Sequence, residues 1–97
     1  MNVGVCRIEL RLPENQSLKG KRQVVKSMTA RLQNKYKVSV AEVDNQGLWQ
    51  LVTLGIVCVS NNRRHSDETL SGVIKFIVQN YPDVEILNSE TEVFSSL

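Results

Sequence analysis

From Val3 to Leu12 apolar and polar positions alternate. Gly4, Cys6, Ile8, Leu10 and Leu12 fall on one side, and Val3, Val5, Arg7, Glu9 and Arg11 on the other. A period of two predicts a strand with one wholly apolar face. Pro13, Glu14, Asn15 and Gln16 then break the pattern and predict a loop. After Ser17 the period changes. Val24, Val25, Met28 and Leu32 recur at helical spacing, so a first helix is expected over roughly 18 to 35, with Ser17 as its cap. Gly20 costs about 1 kcal/mol relative to alanine in a helix, which allows a later start, at Gly20 or beyond.

Lys37 to Asp44 (KVSVAEVD) is rich in β-branched residues and reads as a second strand. Asn45, Gln46 and Gly47 supply a hairpin-type turn. Leu48 to Ser60 reads as a third strand. Val52, Leu54, Ile56 and Cys58 lie on one face; Trp49, Leu51, Thr53, Gly55, Val57 and Val59 lie on the other. Apolar residues on both faces place it in the middle of a sheet. Residues 61 to 65 (NNRRH) form a polar turn, and either Asn62 or Ser66 caps a second helix. Leu70, Val73, Ile74, Ile77 and Tyr81 mark that helix's buried stripe, and Tyr81-Pro82-Asp83 stops it. Val84 to Phe94 is the last strand, its glutamates at 85, 90 and 92 discouraging edge pairing.

The order β-α-β-β-α-β, with right-handed crossovers, predicts an α+β fold of the ferredoxin-like kind: a four-stranded antiparallel sheet with both helices on one face. Strands one and three would be central. Ninety-seven residues make one domain, 1–97, with one core. Cys6, Ile8, Leu10, Leu54, Ile56 and Cys58 would meet Val25, Met28, Leu32, Leu70, Val73, Ile74 and Ile77 there.

Charge changes this picture at one place. The net charge is only +2, yet Ser17–Lys37 holds seven of the twelve basic residues and no acid. Asymmetry of this kind steers anionic partners despite near-neutral totals. On a helical wheel Lys19, Arg22 and Lys26 share one flank, Arg31 and Lys35 the other, and Lys21 falls near the apolar stripe. Cations in the first turn oppose the helix dipole, and no acids at i+4 offset them. Either these side chains are a solvated basic face balanced by acids from elsewhere in the fold, or Lys19, Lys21, Arg22, Lys26, Arg31 and Lys35 meet an anion or an RNA backbone. Arg63 and Arg64 offer a second, smaller basic cluster on the polar turn.

Val3, Val5, Trp49, Leu51, Val57 and Val59 would leave the sheet's other face apolar and uncovered, as at an interface. The strands lack the paired aromatics that stack RNA bases on such sheets, so self-association is the favoured use of this face. No Cys/His cluster suits a metal, no nucleophile has a base beside it, and no glycine-rich phosphate loop is present. The Glu42/Asp44 pair has no further ligand at metal spacing. An enzyme is not expected, nor a cofactor. The N-terminus does not read as a signal peptide and no apolar run approaches ~18 residues, so a cytoplasmic protein without membrane contact is expected.

The stretches SLKGKRQ, KVSVAEVD, LWQ and VSNN together resemble the YlxP-like family of small bacterial proteins of unknown function, over nearly the whole chain. Gly47 stands where that pattern leads one to expect an acid. The resemblance implies a ferredoxin-like fold, no established catalytic residues, and Ser17, Leu18, Lys19, Lys21 and Arg22 as the motif positions. Genes of the family often lie among those for translation and ribosome maturation factors. This implies structured RNA or a ribosomal particle as partner; separately, the open sheet face leads one to expect a homodimeric regulatory or adaptor module, with that face serving as its interface or as a small-ligand site.

Overall fold

The computed structural model describes residues 1–97. Six elements follow in order: β1 (Asn2–Arg11), α1 (Leu18–Tyr36), β2 (Ser39–Asp44), β3 (Leu51–Ser60), α2 (Arg63–Asn80) and β4 (Glu85–Ser95). The strands form one antiparallel sheet in the order β2-β3-β1-β4. The two most apolar strands are therefore central, as their sequences require. The pairing keeps like faces together: Val5 lies opposite Val57 and Cys6 opposite Ile56. On the other side Val3 meets Phe94 and Val5 meets Glu92.

Both helices cover the face that carries Cys6, Ile8, Leu10, Leu54, Ile56 and Cys58. These join Met28, Leu32, Leu70, Val73 and Ile77 in a single core cluster, together with Leu12, Val38, Val52 and Phe76. Val25 and Ile74 lie at its margin, half-buried. Phe76 is the core member that the helical stripe did not include. Its ring meets Tyr36 edge-on at 6.0 Å between centroids, closing the gap between the helices.

The start of β3 differs from the sequence pattern, while the two helix starts fall among the positions it allowed, each for a local reason. Helix α1 starts at Leu18 despite Gly20, because the Ser17 hydroxyl accepts a hydrogen bond from the Gly20 amide at 3.0 Å. Strand β3 begins at Leu51 rather than Leu48. The carbonyls of Leu48 and Trp49 are taken by the side chains of Lys21 and Asn15, which leaves them unavailable to a neighbouring strand. Helix α2 begins at Arg63, one residue after its cap. The Asn62 side chain accepts from the amides of Arg64 and His65. Arg63 and Arg64 thus belong to the first turn of a helix and not to a loop. A bulge in β2 between Glu42 and Asp44 splits those carboxylates.

Candidate nucleic-acid interface

The start of α1 is held by a knot of side chain–backbone bonds. Lys21 is buried, at 1% exposure. Its ammonium donates to the carbonyls of Asn45 at 2.5 Å and Leu48 at 2.7 Å, with Gln46 further off at 3.4 Å. Glu42 Oε2 sits 2.7 Å away and balances the charge, though not along a hydrogen-bond axis. The position on the apolar stripe is thus explained: a long aliphatic stem crosses the core edge and its head enters a ring of loop oxygens. Asn45 adopts a left-handed conformation, with φ 62°, that turns the β2–β3 connection back towards the helix. Its side-chain nitrogen donates to the Thr53 hydroxyl at 2.8 Å, and Thr53 is buried although its strand position faces away from the helices.

Asn15 completes the knot. Its side-chain nitrogen donates to both the Ser17 carbonyl, at 2.8 Å, and the Trp49 carbonyl, at 2.5 Å. Gln50 returns a bond to the Asn15 carbonyl, and the Leu12 amide donates to the Gln50 carbonyl. Gly20 leaves room for this. A Cβ there would come within 2.3 Å of Asn15 Oδ1.

Lys21 therefore leaves the set of candidate anion contacts. Its ammonium is spent on Glu42 and the loop, out of reach of any ligand. The remaining members separate into two groups. Lys19, Arg22 and Lys26 are exposed along one flank and form no ion pair. Arg31 and Lys35 face α2. The Arg31 guanidinium lies 4.9 Å from the Phe76 ring centre and 5.2 Å from that of Tyr81, and donates to Asn80 Oδ1 at 3.1 Å. Lys35 stands 5.1 Å from the Phe76 centroid. Both lie at the seam between the helices and still carry charge to solvent, without an acidic partner.

Acids elsewhere in the fold balance other cations. Arg7 pairs with Asp44 at 3.4 Å and with Glu9 at 3.7 Å; Arg11 pairs with Glu85 at 3.7 Å. Arg64 pairs with Glu68 at 3.2 Å, one turn along α2, while Arg63 forms no ion pair. A cleft of about 460 Å³ opens beside α1, lined in part by Glu14, Gly20, Gln23 and Asp83. Its two carboxylates disfavour an anion on that side, which leaves the Lys19–Arg22–Lys26 flank as the cationic surface.

The open face of the sheet also divides. Val3, Val5, Val57 and Val59 adjoin on β1 and β3, and Phe94 extends them onto β4. Val57, Val59 and Phe94 are exposed. Leu51 pairs with Arg11 at the far end of β3, and Trp49 precedes the strand altogether. Trp49 and Leu51 thus lie apart from the valine patch. Phe94 escaped notice because the acidic run before it marks β4 as an edge; its odd-even register against Val3 was the available signal.

Cys6 and Cys58 are buried free thiols. Burial pushes the Cys6 thiol above its ordinary range, partly offset by a hydrogen bond from Thr91. Nothing here forms a group of three metal-capable side chains. No helix is long and apolar enough to cross a membrane.

The two motifs that meet in this knot, SLKGKR and AEVDNQGLWQ, belong to a region matched by a described family. The profile "Protein of unknown function (DUF503)" covers residues 3–91. The chain belongs to this family. It is also 36% identical over 92 residues to the uncharacterized protein YlxP of Bacillus subtilis (strain 168), spanning 95% of this chain and 99% of that one. Among solved structures it is similar to a de novo designed protein with ferredoxin fold, LFR1 1. The TM-score is 0.51 at 10% identity, over 97% of this chain and 84% of that one. The designed protein Foldit4 aligns over both whole chains with a TM-score of 0.49 and 13% identity. The element order, the four-stranded antiparallel sheet and the likeness to LFR1 1 together show the ferredoxin-like fold expected from the sequence. For this member of the family, the geometry gives the SLKGKR motif a physical reading: Ser17 caps, Gly20 admits Asn15, Lys21 locks the β2–β3 connection, and Lys19 and Arg22 are left facing water.

Proposed function

We propose that this protein is a non-enzymatic, cytoplasmic accessory protein that docks on structured RNA or a ribosomal particle through Lys19, Arg22 and Lys26, with Arg31 and Lys35 assisting. The observation that carries this reading is the uncompensated charge of α1. Every exposed cation of the helix lacks an acidic partner, while Arg7, Arg11 and Arg64 on other elements each have one. Unpaired cations on one helix repel each other, and a polyanion relieves that repulsion while releasing its own counterions. Contacts of this type position a protein on a nucleic acid without reading its sequence. The absence of a catalytic role is supported by how the carboxylates are used: Glu42 is taken by Lys21 and Asp44 by Arg7.

The test is co-sedimentation with ribosomal subunits at low salt, for the wild type and for Lys19→Glu/Arg22→Glu/Lys26→Glu. The wild type is expected in the subunit fractions and the variant at the top of the gradient. Equal sedimentation of the two, or no co-sedimentation of the wild type, contradicts the reading.

A second reading has its own observation. Val3, Val5, Val57, Val59 and Phe94 make an apolar patch on a sheet face that no element covers, which suits a homodimeric regulatory or adaptor module. The two readings use opposite faces of the molecule and are compatible. A solution mass that is dimeric for the wild type and monomeric for Val57→Glu supports the second; a mass unchanged by the substitution removes it.

A further inference from the structure

We infer that Trp49 is a stacking platform for an unpaired RNA base, placed beside the start of the basic helix α1; the inference rests on the RNA-binding reading above. The backbone around Trp49 is fixed from several sides. Lys21 holds the Leu48 carbonyl, Asn15 holds the Trp49 carbonyl, and Gln50 is bonded through both its backbone and its side chain to residues 12 to 15. As a residue Trp49 is nevertheless 53% exposed and Leu48 beside it 48%. The connection is thus rigid where its main chain is concerned and presents its largest apolar side chain to water. Nothing in the knot uses the indole: Trp49 contributes only its carbonyl, which any residue could supply.

The position relative to the cations is set by a single atom. One Asn15 nitrogen bridges the Trp49 carbonyl and the carbonyl of Ser17, the cap of α1. Lys19 and Arg22 follow within the next turn and a half. An exposed aromatic at the mouth of a basic helix combines the two elements of single-strand recognition: π-stacking with a base and charge pairing with the adjacent phosphates. A preorganised ring loses little freedom on binding, because the backbone that carries it is already fixed. Stacking of this kind tolerates any base and requires that the base be unpaired, which distinguishes it from contact with a duplex backbone. The ligand class is therefore RNA with a single-stranded segment, a loop or bulge next to a helix.

Trp49 is the only tryptophan, so its emission reports directly on the site. The experiment titrates the full chain with a 12-nucleotide single-stranded RNA and with a 12-base-pair RNA duplex at low salt. Fluorescence is followed together with an independent binding signal from labelled RNA. The inference expects the single strand to quench Trp49 emission and the duplex to leave it largely unchanged. It expects Trp49→Ala to bind the single strand roughly tenfold more weakly or worse, and Trp49→Phe to recover most of the loss. Because the indole makes no bond in the knot, Trp49→Ala should retain the wild-type circular dichroism and melting temperature. Equal binding of both RNAs with no quenching, and no effect of Trp49→Ala, overturns this inference and leaves the RNA-binding reading intact. Absence of binding to either RNA at low salt overturns both. A shift of Trp49 emission with protein concentration alone, insensitive to RNA, assigns the ring to self-association and overturns the inference.

Discussion

The ammonium of Lys21 lies 2.7 Å from Glu42 Oε2; the Lys21 side chain is buried, at 1% exposure, and that of Glu42 is mostly covered, at 19%. This pair joins the first turn of α1 to the end of β2, and through the carbonyls of Asn45 and Leu48 it fixes the connection between β2 and β3. The one lysine that the helical wheel sets near the apolar stripe is the one most deeply committed to structure.

Removing one partner of a buried pair leaves the other desolvated and alone, at a cost of about 3–5 kcal/mol. Lys21→Met should therefore lower the unfolding free energy in urea by roughly that amount, while Lys19→Met and Arg22→Met change it by no more than about 0.5 kcal/mol. Adding Glu42→Gln to Lys21→Met should recover part of the loss, because the unpaired carboxylate is then gone. Equal effects at positions 19, 21 and 22 would show that Lys21 is not held as described.

Gly20 offers a test whose sign is unusual. In an exposed first turn alanine normally stabilises a helix by up to about 1 kcal/mol. Here a Cβ would meet Asn15 Oδ1 at 2.3 Å, and Asn15 is tied to two carbonyls. Gly20→Ala should destabilise the protein. In an Asn15→Ala background the same substitution should be much less harmful, as measured by a thermal or urea double-mutant cycle.

Arg31 and Lys35 carry a structural role beside their charge. With its guanidinium over Phe76 and Tyr81, Arg31 should contribute about 1 kcal/mol through stacking and packing of its stem. Arg31→Ala should lower stability by that amount and Arg31→Lys should restore only part of it, since an ammonium cannot lie flat on two rings. Lys26→Ala, one flank away, should be close to neutral in the same assay.

The Cys6 thiol, raised by burial, fixes the direction of one pH effect. Below the ordinary thiol pKa of about 8.5 both folded and unfolded chains keep the proton, and this group adds no pH dependence. Above it the unfolded chain ionises first, so stability falls with rising pH until the folded thiol ionises too. Cys6→Ala should show a shallower alkaline decline in urea midpoint than the wild type. In the native protein Cys6 should also react with alkylating reagents far more slowly at neutral pH than after unfolding.

The fold was legible because its signals are periodic. Alternation over Val3–Leu12 and the helical stripe from Leu70 to Tyr81 each specify one buried face, and those faces meet as expected. What escaped the pattern is bonding between a side chain and a distant backbone. Lys21 and Asn15 reach carbonyls 24 to 34 residues away, and no local spacing records that. The same bonds shortened β3, moved Trp49 off the sheet and separated it from Val57 and Val59. Lys21 did leave a trace: a lysine on the apolar side of an amphipathic helix needs a buried partner, and the AEVD stretch supplied one.

Docking on RNA in the proposed way requires Lys19, Arg22 and Lys26 to act as phosphate contacts. The measurement that tests this most directly is the salt dependence of RNA affinity for the wild type and for Lys19→Gln/Arg22→Gln/Lys26→Gln. Each lost phosphate contact should reduce the slope of log K against log salt by about 0.7–0.9, so the triple variant should be shallower by about 2–3. A variant that binds with the wild-type slope would contradict the claim, since its phosphate contacts would then lie elsewhere.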